Sequence, residues 1–139
     1  MTRYRARVSG PLLDRLDLHV EVPAVPFASL TEGDRGDPTA DVRARVAGAR
    51  ARQVERFAAC PGVYANAQME VGLLRRFVRP PTNVVGLLQE AVERGLSARA
   101  YHRVLKVART LADLDGRDEV SREDALEALH YRALDRRTP

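Results

Sequence analysis

Apolar residues recur at two different spacings along this chain, and each spacing predicts a different element. Over Leu18 to Val22 the apolar Leu18, Val20 and Val22 alternate with His19 and Glu21. That period of two belongs to a half-buried strand. Pro23 and Pro26 end any sheet pairing beyond it. From Asp41 to Ala59 the spacing lengthens to three and four residues: Val42, Val46, Ala49, Gln53 or Val54, and Phe57 mark one helical face. Arg43, Arg45, Arg50, Arg52 and Arg56 fill the rest, and Cys60-Pro61-Gly62 closes the helix. Asn66 is placed to cap a helix over roughly 67–77, with Met69, Leu73, Leu74 and Phe77 inward. Arg79-Pro80-Pro81 interrupts the chain. Thr82 or Asn83 then starts a helix carrying Val84, Val85, Leu87, Leu88 and Val92, and Gly95 terminates it. Ser97 caps a longer helix that runs to Leu114 and stops at Asp115-Gly116, its apolar face being Tyr101, Val104, Leu105, Ala108, Leu111 and Ala112. Ser121 caps a last helix through about Arg132, with Glu123 and Asp124 suited to its positive first turn.

These elements predict a mainly α protein: a bundle of about five helices within 41–139, a linker over 26–40 rich in Gly, Pro, Asp and Thr, and a leading segment, 1–25, that holds the one strand. One strand is not stable by itself. Its sheet partners are expected upstream, in sequence this chain does not contain, so the chain reads as a truncated piece with Met1-Thr2 an artificial start. The strand's open edge is expected to fold onto the bundle, become disordered or pair between chains.

Composition narrows the setting. The 139 residues are 45% hydrophobic with no tryptophan, which supports a folded core of Leu, Val and Ala. The formal charge is +4, and Lys106 is the only lysine, so the basic character is carried by arginine. Arginine's planar fork suits phosphate and carboxylate. A GC-rich genome also produces arginine, so the charge permits a nucleic-acid partner without requiring one. Cys60 stands alone, which excludes an intrachain disulfide and a cysteine-based zinc site. No apolar run approaches the roughly 20 residues that span a bilayer. With no apolar signal region near Met1 either, a soluble, cytoplasmic location without membrane partners is expected.

Two runs carry candidate chemistry. In Ser9-Gly10-Pro11-Leu12-Leu13-Asp14-Arg15-Leu16-Asp17-Leu18, Arg15 lies between two aspartates at the end of an apolar turn, directly before the strand. By the residues alone it either projects outward or is locked in a local ion pair with Asp14 or Asp17. In Leu96-Ser97-Ala98-Arg99-Ala100-Tyr101-His102-Arg103, Arg99 sits one turn into a helix, with Arg103 and Lys106 on nearly the same face. A solvated basic face is the plain alternative. His19, His102 and His130 have no metal-ligand spacing, and no metal site is expected. There is no Gly-x-x-x-x-Gly-Lys-Ser/Thr loop and no acidic Walker-B strand, so the chain is not expected to bind or hydrolyse ATP alone.

The two runs, in this order, resemble those of AAA+ ATPases of the magnesium-chelatase-like class, in the form found in the ComM/YifB family. The closing stretch Ala125 to Arg132 is similar to that family's terminal helix. The resemblance implies an AAA+ lid domain at 41–139, preceded by a remnant strand of the α/β ATPase core. It implies that Arg15 is an arginine finger acting in trans on a neighbouring subunit's ATP. It makes Arg99 the sensor-2 residue that contacts the γ-phosphate, with Arg103 in support. The cofactors it implies for the longer protein are ATP and Mg2+, and the partners are the chain's own ATPase core, the neighbouring subunits of a hexameric ring and DNA. The implied activity is a DNA-processing, branch-migration motor of natural transformation. Two alternatives stay open: the ATPase subunit of a metal-insertion chelatase, and an arginine-rich helical module that contacts DNA or a subunit through Arg43, Arg50 and Arg52.

Overall fold

The computed structural model describes residues 12, 15–25 and 36–132. Five α-helices occur among them: α1 (Thr39–Arg56), α2 (Val71–Phe77), α3 (Thr82–Glu93), α4 (Ala98–Leu114) and α5 (Arg122–His130), with a 3₁₀ turn at Asn66–Gln68 between the first two. The fold is mainly α, as the periodicity predicts.

The caps explain why the second half of the chain folds as it reads. Ser97 accepts a hydrogen bond from the Ala100 N–H through its side chain. Ser121 and Asp124 form a reciprocal capping box at the start of α5. Gly95 and Gly116 take left-handed φ values of 101° and 71° just past α3 and α4. There the Leu96 N–H donates to the Ala91 carbonyl and the Arg117 N–H to the Ala112 carbonyl, which closes both helix ends.

α4 is the centre of the molecule, packing against α1, the 3₁₀ turn, α2, α3 and α5. Its buried Val104, Leu105 and Ala108 meet Phe57, Met69, Leu74, Val84, Leu88 and Ala125 in a single apolar cluster. Burying one such Val or Leu is worth roughly 1.5–3 kcal/mol. Phe57 and Phe77 meet edge to face at 5.5 Å, tying the end of α1 to the end of α2.

The structure departs from the sequence reading in four places. Asn66 does not cap a helix; it is buried in a 3₁₀ turn and its side chain turns inward. Met69 and Leu74 are buried as expected, but α2 begins only at Val71. α1 buries Ala49 and Gln53, whereas Val42 and Val46 are exposed because only its C-terminal half lies along the body, and Val54 is exposed because it lies off the face that Gln53 buries. The strand over 18–22 is not built into a sheet: among the described residues there is no strand pairing. Instead the segment lies on the bundle, where the His19 N–H donates to the Tyr131 carbonyl at 2.8 Å. The expected alternation of burial is absent, since His19 is buried while Leu18, Val20, Glu21 and Val22 are exposed. Most of the expected linker, 26–35, lies outside the described residues, and Thr39 and Ala40 at its end already belong to α1.

Candidate functional site

Helical spacing puts Arg99, Arg103 and Lys106 within two turns on one side of α4. A cleft of about 610 Å³ opens there, lined by these three with His102 from α4, Asp17 from the leading segment, Met69 and Glu70 before α2, and Val71 and Gly72 from its first turn. Three cations thus share the space with two carboxylates. Lys106 donates to the Ala67 carbonyl at 2.9 Å. Its pKa is lowered, first by burial and then by the positive charge of Arg103. Arg103 pairs with Asp17, a contact between residues 86 positions apart. Arg99 is exposed at the mouth.

Arg15 stands outside this cleft, on the segment that leads into it. Its N–H donates to the Leu12 carbonyl at 3.0 Å, which forms the turn, and its side chain is exposed. The Leu16 carbonyl accepts from the buried Arg132, just past α5. Asp17, one of the two carboxylates expected to hold Arg15 locally, is turned to Arg103 instead. Asp14 lies outside the described residues.

A second ionic cluster occupies the other end of α4. Asp113 is fully buried and accepts from Arg56 at 2.7 Å, Asn66 at 2.8 Å and Arg109 at 2.9 Å. Burial alone would raise the Asp113 pKa. The hydrogen bonds from Arg56 and Asn66 and the charge of Arg109 outweigh it and hold the carboxyl below its ordinary value. Asn66 also accepts from Arg56 at 2.9 Å and donates to Thr110 at 3.1 Å, and Gln53 accepts from the Asn66 N–H. Arg109 donates to the Arg117 and Asp118 carbonyls, binding the turn after α4 to the helix. Arg117 grips Asp124 with two bonds of 2.8 and 2.7 Å and reaches Asp115 at 2.8 Å. These partners raise its pKa.

The arginines singled out on α1 divide accordingly. Arg52 pairs with Asp118 and lies 4.0 Å from Asp113, so it braces the interior. Arg50 donates to Gln53 at 3.0 Å, and Arg43 is exposed. Sequence reasoning found Arg99 and Arg103 but missed Asp17 as their neighbour and the whole Asp113 cluster. No local signal joins residues that far apart. Among the described residues there is no group of three or more His, Cys, Asp or Glu that could hold a metal ion, and no helix is long and apolar enough to cross a membrane.

Comparison with known proteins adds a family to this geometry. Residues 36–132 match the family model described as magnesium chelatase, subunit ChlI C-terminal, and residues 1–30 match the one described as magnesium chelatase, subunit ChlI. The competence protein ComM of Haemophilus influenzae is 43% identical over 134 residues, covering 95% of this chain and 25% of that protein. The uncharacterized protein YifB of Escherichia coli is 40% identical over 136 residues, covering 96% of this chain and 26% of that one. An uncharacterized protein of Mycobacterium bovis is 40% identical over 131 residues. The chain spans about a quarter of the length of these curated relatives.

Proposed function

The chain belongs to the magnesium chelatase subunit ChlI C-terminal family, in its ComM/YifB-like form, and on that premise we propose that it completes ATP sites in a ring-forming AAA+ motor that processes DNA. Arg99 acts as sensor 2: its guanidinium meets the γ-phosphate and ties the nucleotide state to the position of the helical body. Arg15 acts in trans as the arginine finger of the neighbouring subunit's site. There it stabilises the charge that builds on the γ-phosphate oxygens, an effect worth roughly 10³–10⁵ in rate.

The observation that carries the reading is the cleft at the start of α4. A phosphate needs converging donors with positive charge in excess, and Arg99, Arg103 and Lys106 line one space there against the two carboxylates of Asp17 and Glu70. The donor set fits a phosphoryl group. It does not fit Mg2+, for which the described residues bring no cluster of ligands. In this reading the magnesium and the phosphate loop belong to other parts of the longer protein, and ATP supplies the phosphoryl group that Arg99 binds and orients. Arg103 supports Arg99 from one turn further along α4.

The DNA role draws on the 43% identity to a protein named for competence. The family description favours a second reading, ATP-driven metal insertion by a chelatase-type complex. Of the α1 arginines named for that alternative, Arg43 and Arg50 are exposed and are the ones that would meet DNA or a neighbouring subunit.

ATP hydrolysis by the full-length protein, with and without branched DNA, tests the proposal. Arg15→Ala is expected to keep nucleotide binding and lose turnover, and Arg99→Ala to lose turnover. Branched DNA is expected to stimulate the wild type. Turnover unchanged in both variants would overturn the site assignment, and indifference to DNA would favour the metal-insertion reading.

A further inference from the structure

We propose that Asp17 and Arg103 form a positioning pair that links the start of α4 to the turn bearing Arg15, so that an anion bound at Arg99 also sets where the Arg15 guanidinium stands; this rests on the roles given above to Arg15 and Arg99. The segment 15–19 is fastened at three points. The Leu16 carbonyl accepts from Arg132, and the His19 N–H donates to the Tyr131 carbonyl. Both of those anchors hold the segment's backbone to the residues just past α5, one through the Arg132 side chain and one through the Tyr131 carbonyl. The third, the Asp17 carboxylate on Arg103, runs to α4.

Helix geometry makes that third anchor the informative one. Arg103 follows Arg99 by four residues, so the two side chains leave α4 on the same face one turn apart. Both line the cleft together with Asp17. In this proposal a phosphoryl group that engages Arg99 pulls on the first turn of α4, and the i to i+4 hydrogen bonding of the helix couples that turn to the next. Arg103 moves with them and carries Asp17, which is two residues from Arg15.

The cost of losing the pair separates this role from a structural one. The Asp17 side chain is 50% exposed. The Arg103 side chain is 20% exposed, so the pair is open to water on its carboxylate side, and removing that carboxylate costs little stability. Its loss leaves the fold standing and acts on where Arg15 is held. Arg15 does its chemistry on a neighbour's nucleotide, so the pair passes the state of one site to the next around the ring. It acts through Arg15 and needs no contact with substrate.

The test uses the full-length protein carrying Asp17→Ala, Asp17→Glu, Arg103→Ala and the double alanine variant, beside Arg15→Ala and Arg99→Ala. Each single alanine is expected to lower kcat about tenfold with KM within about twofold, and Asp17→Ala to leave the thermal midpoint unchanged. The double variant is expected to fall no further than either single, since both break the same link. Asp17→Glu is expected to recover most of the turnover. Hydrogen exchange supplies a second readout. A non-hydrolysable ATP analogue is expected to change protection over residues 16–19 in the wild type and not in Asp17→Ala.

Losses that multiply in the double variant would overturn the pair, because Arg103 would then act independently of Asp17. Normal turnover in Asp17→Ala, with Arg15→Ala and Arg99→Ala inactive, would overturn the coupling and leave the proposed function intact. Full turnover in Arg15→Ala and Arg99→Ala would remove both.

Discussion

The two ends of α4 use the same residue type for opposite purposes. Near its C-terminus Arg109 is buried, and Asp113 with the Arg117 and Asp118 carbonyls takes up its donors. Near its N-terminus Arg99 is exposed, and Arg103 and Lys106 line an open cleft with it. An arginine whose terminal nitrogens are taken up by its own protein is a structural brace, whereas one held at an opening can take an outside anion. Arginine content therefore says little about function until burial and partners divide the residues into these two groups.

The sharpest attack on this division is Asp113→Ala, which leaves Arg56 and Arg109 facing each other across a buried space. Losing one partner of a buried ionic group costs roughly 3–5 kcal/mol, so thermal or denaturant unfolding should show a large drop. A loss below about 1 kcal/mol would mean that this end, too, is satisfied by water. The same group has a pH signature. The folded pKa of Asp113 lies below its ordinary value of 3.8, so its contribution is complete above that value and disappears as pH falls through the lower, folded one. Unfolding measured from pH 6 downward should show this acid loss in the wild type and lack this part of it in Asp113→Asn.

Asn66→Ala should cost less, roughly 1–3 kcal/mol, by stranding a donor on Arg56 and an acceptor on Thr110 while Asp113 keeps its two arginines. Ser97→Ala removes only the cap that accepts from Ala100, about 1 kcal/mol in the same measurement. Arg99→Ala is expected to change stability by no more than about 0.5 kcal/mol, since it substitutes an exposed side chain. A large destabilisation by Arg99→Ala would break the comparison, for Arg99 would then be a brace like Arg109.

What the chain reveals before folding is what local chemistry decides. Ser97, Ser121, Gly95 and Gly116 act on the residues beside them, and all four stand where their signals put them. The apolar face of α4 was legible for the same reason. The Asp113 cluster was not: Arg109 and Asp113 look like any helical i,i+4 pair, and Arg56 and Asn66 join them across 57 and 47 residues. Asn66 misled because a residue that suits a cap by its chemistry was recruited into that cluster. Val42 and Val46 had the spacing of a buried face, but spacing does not say how far along a helix its neighbour extends. Arg15 and Arg99 were found through a family resemblance. Asp17 as the partner of Arg103 was found only by the fold.

The stand-off of α1 has a mechanical consequence. A helix fixed to its body over the second half alone is a cantilever, and its first ten residues, Thr39 to Gly48, are held by their own backbone hydrogen bonds. An isolated helix of about ten residues is marginal in water. The tip is therefore expected to open and re-form more readily in hydrogen exchange than the stretch from Gln53 to Phe57. Anything that settles on Val42 and Val46 would still that motion, so the order of this tip is a gauge of whether the projecting half of α1 has company.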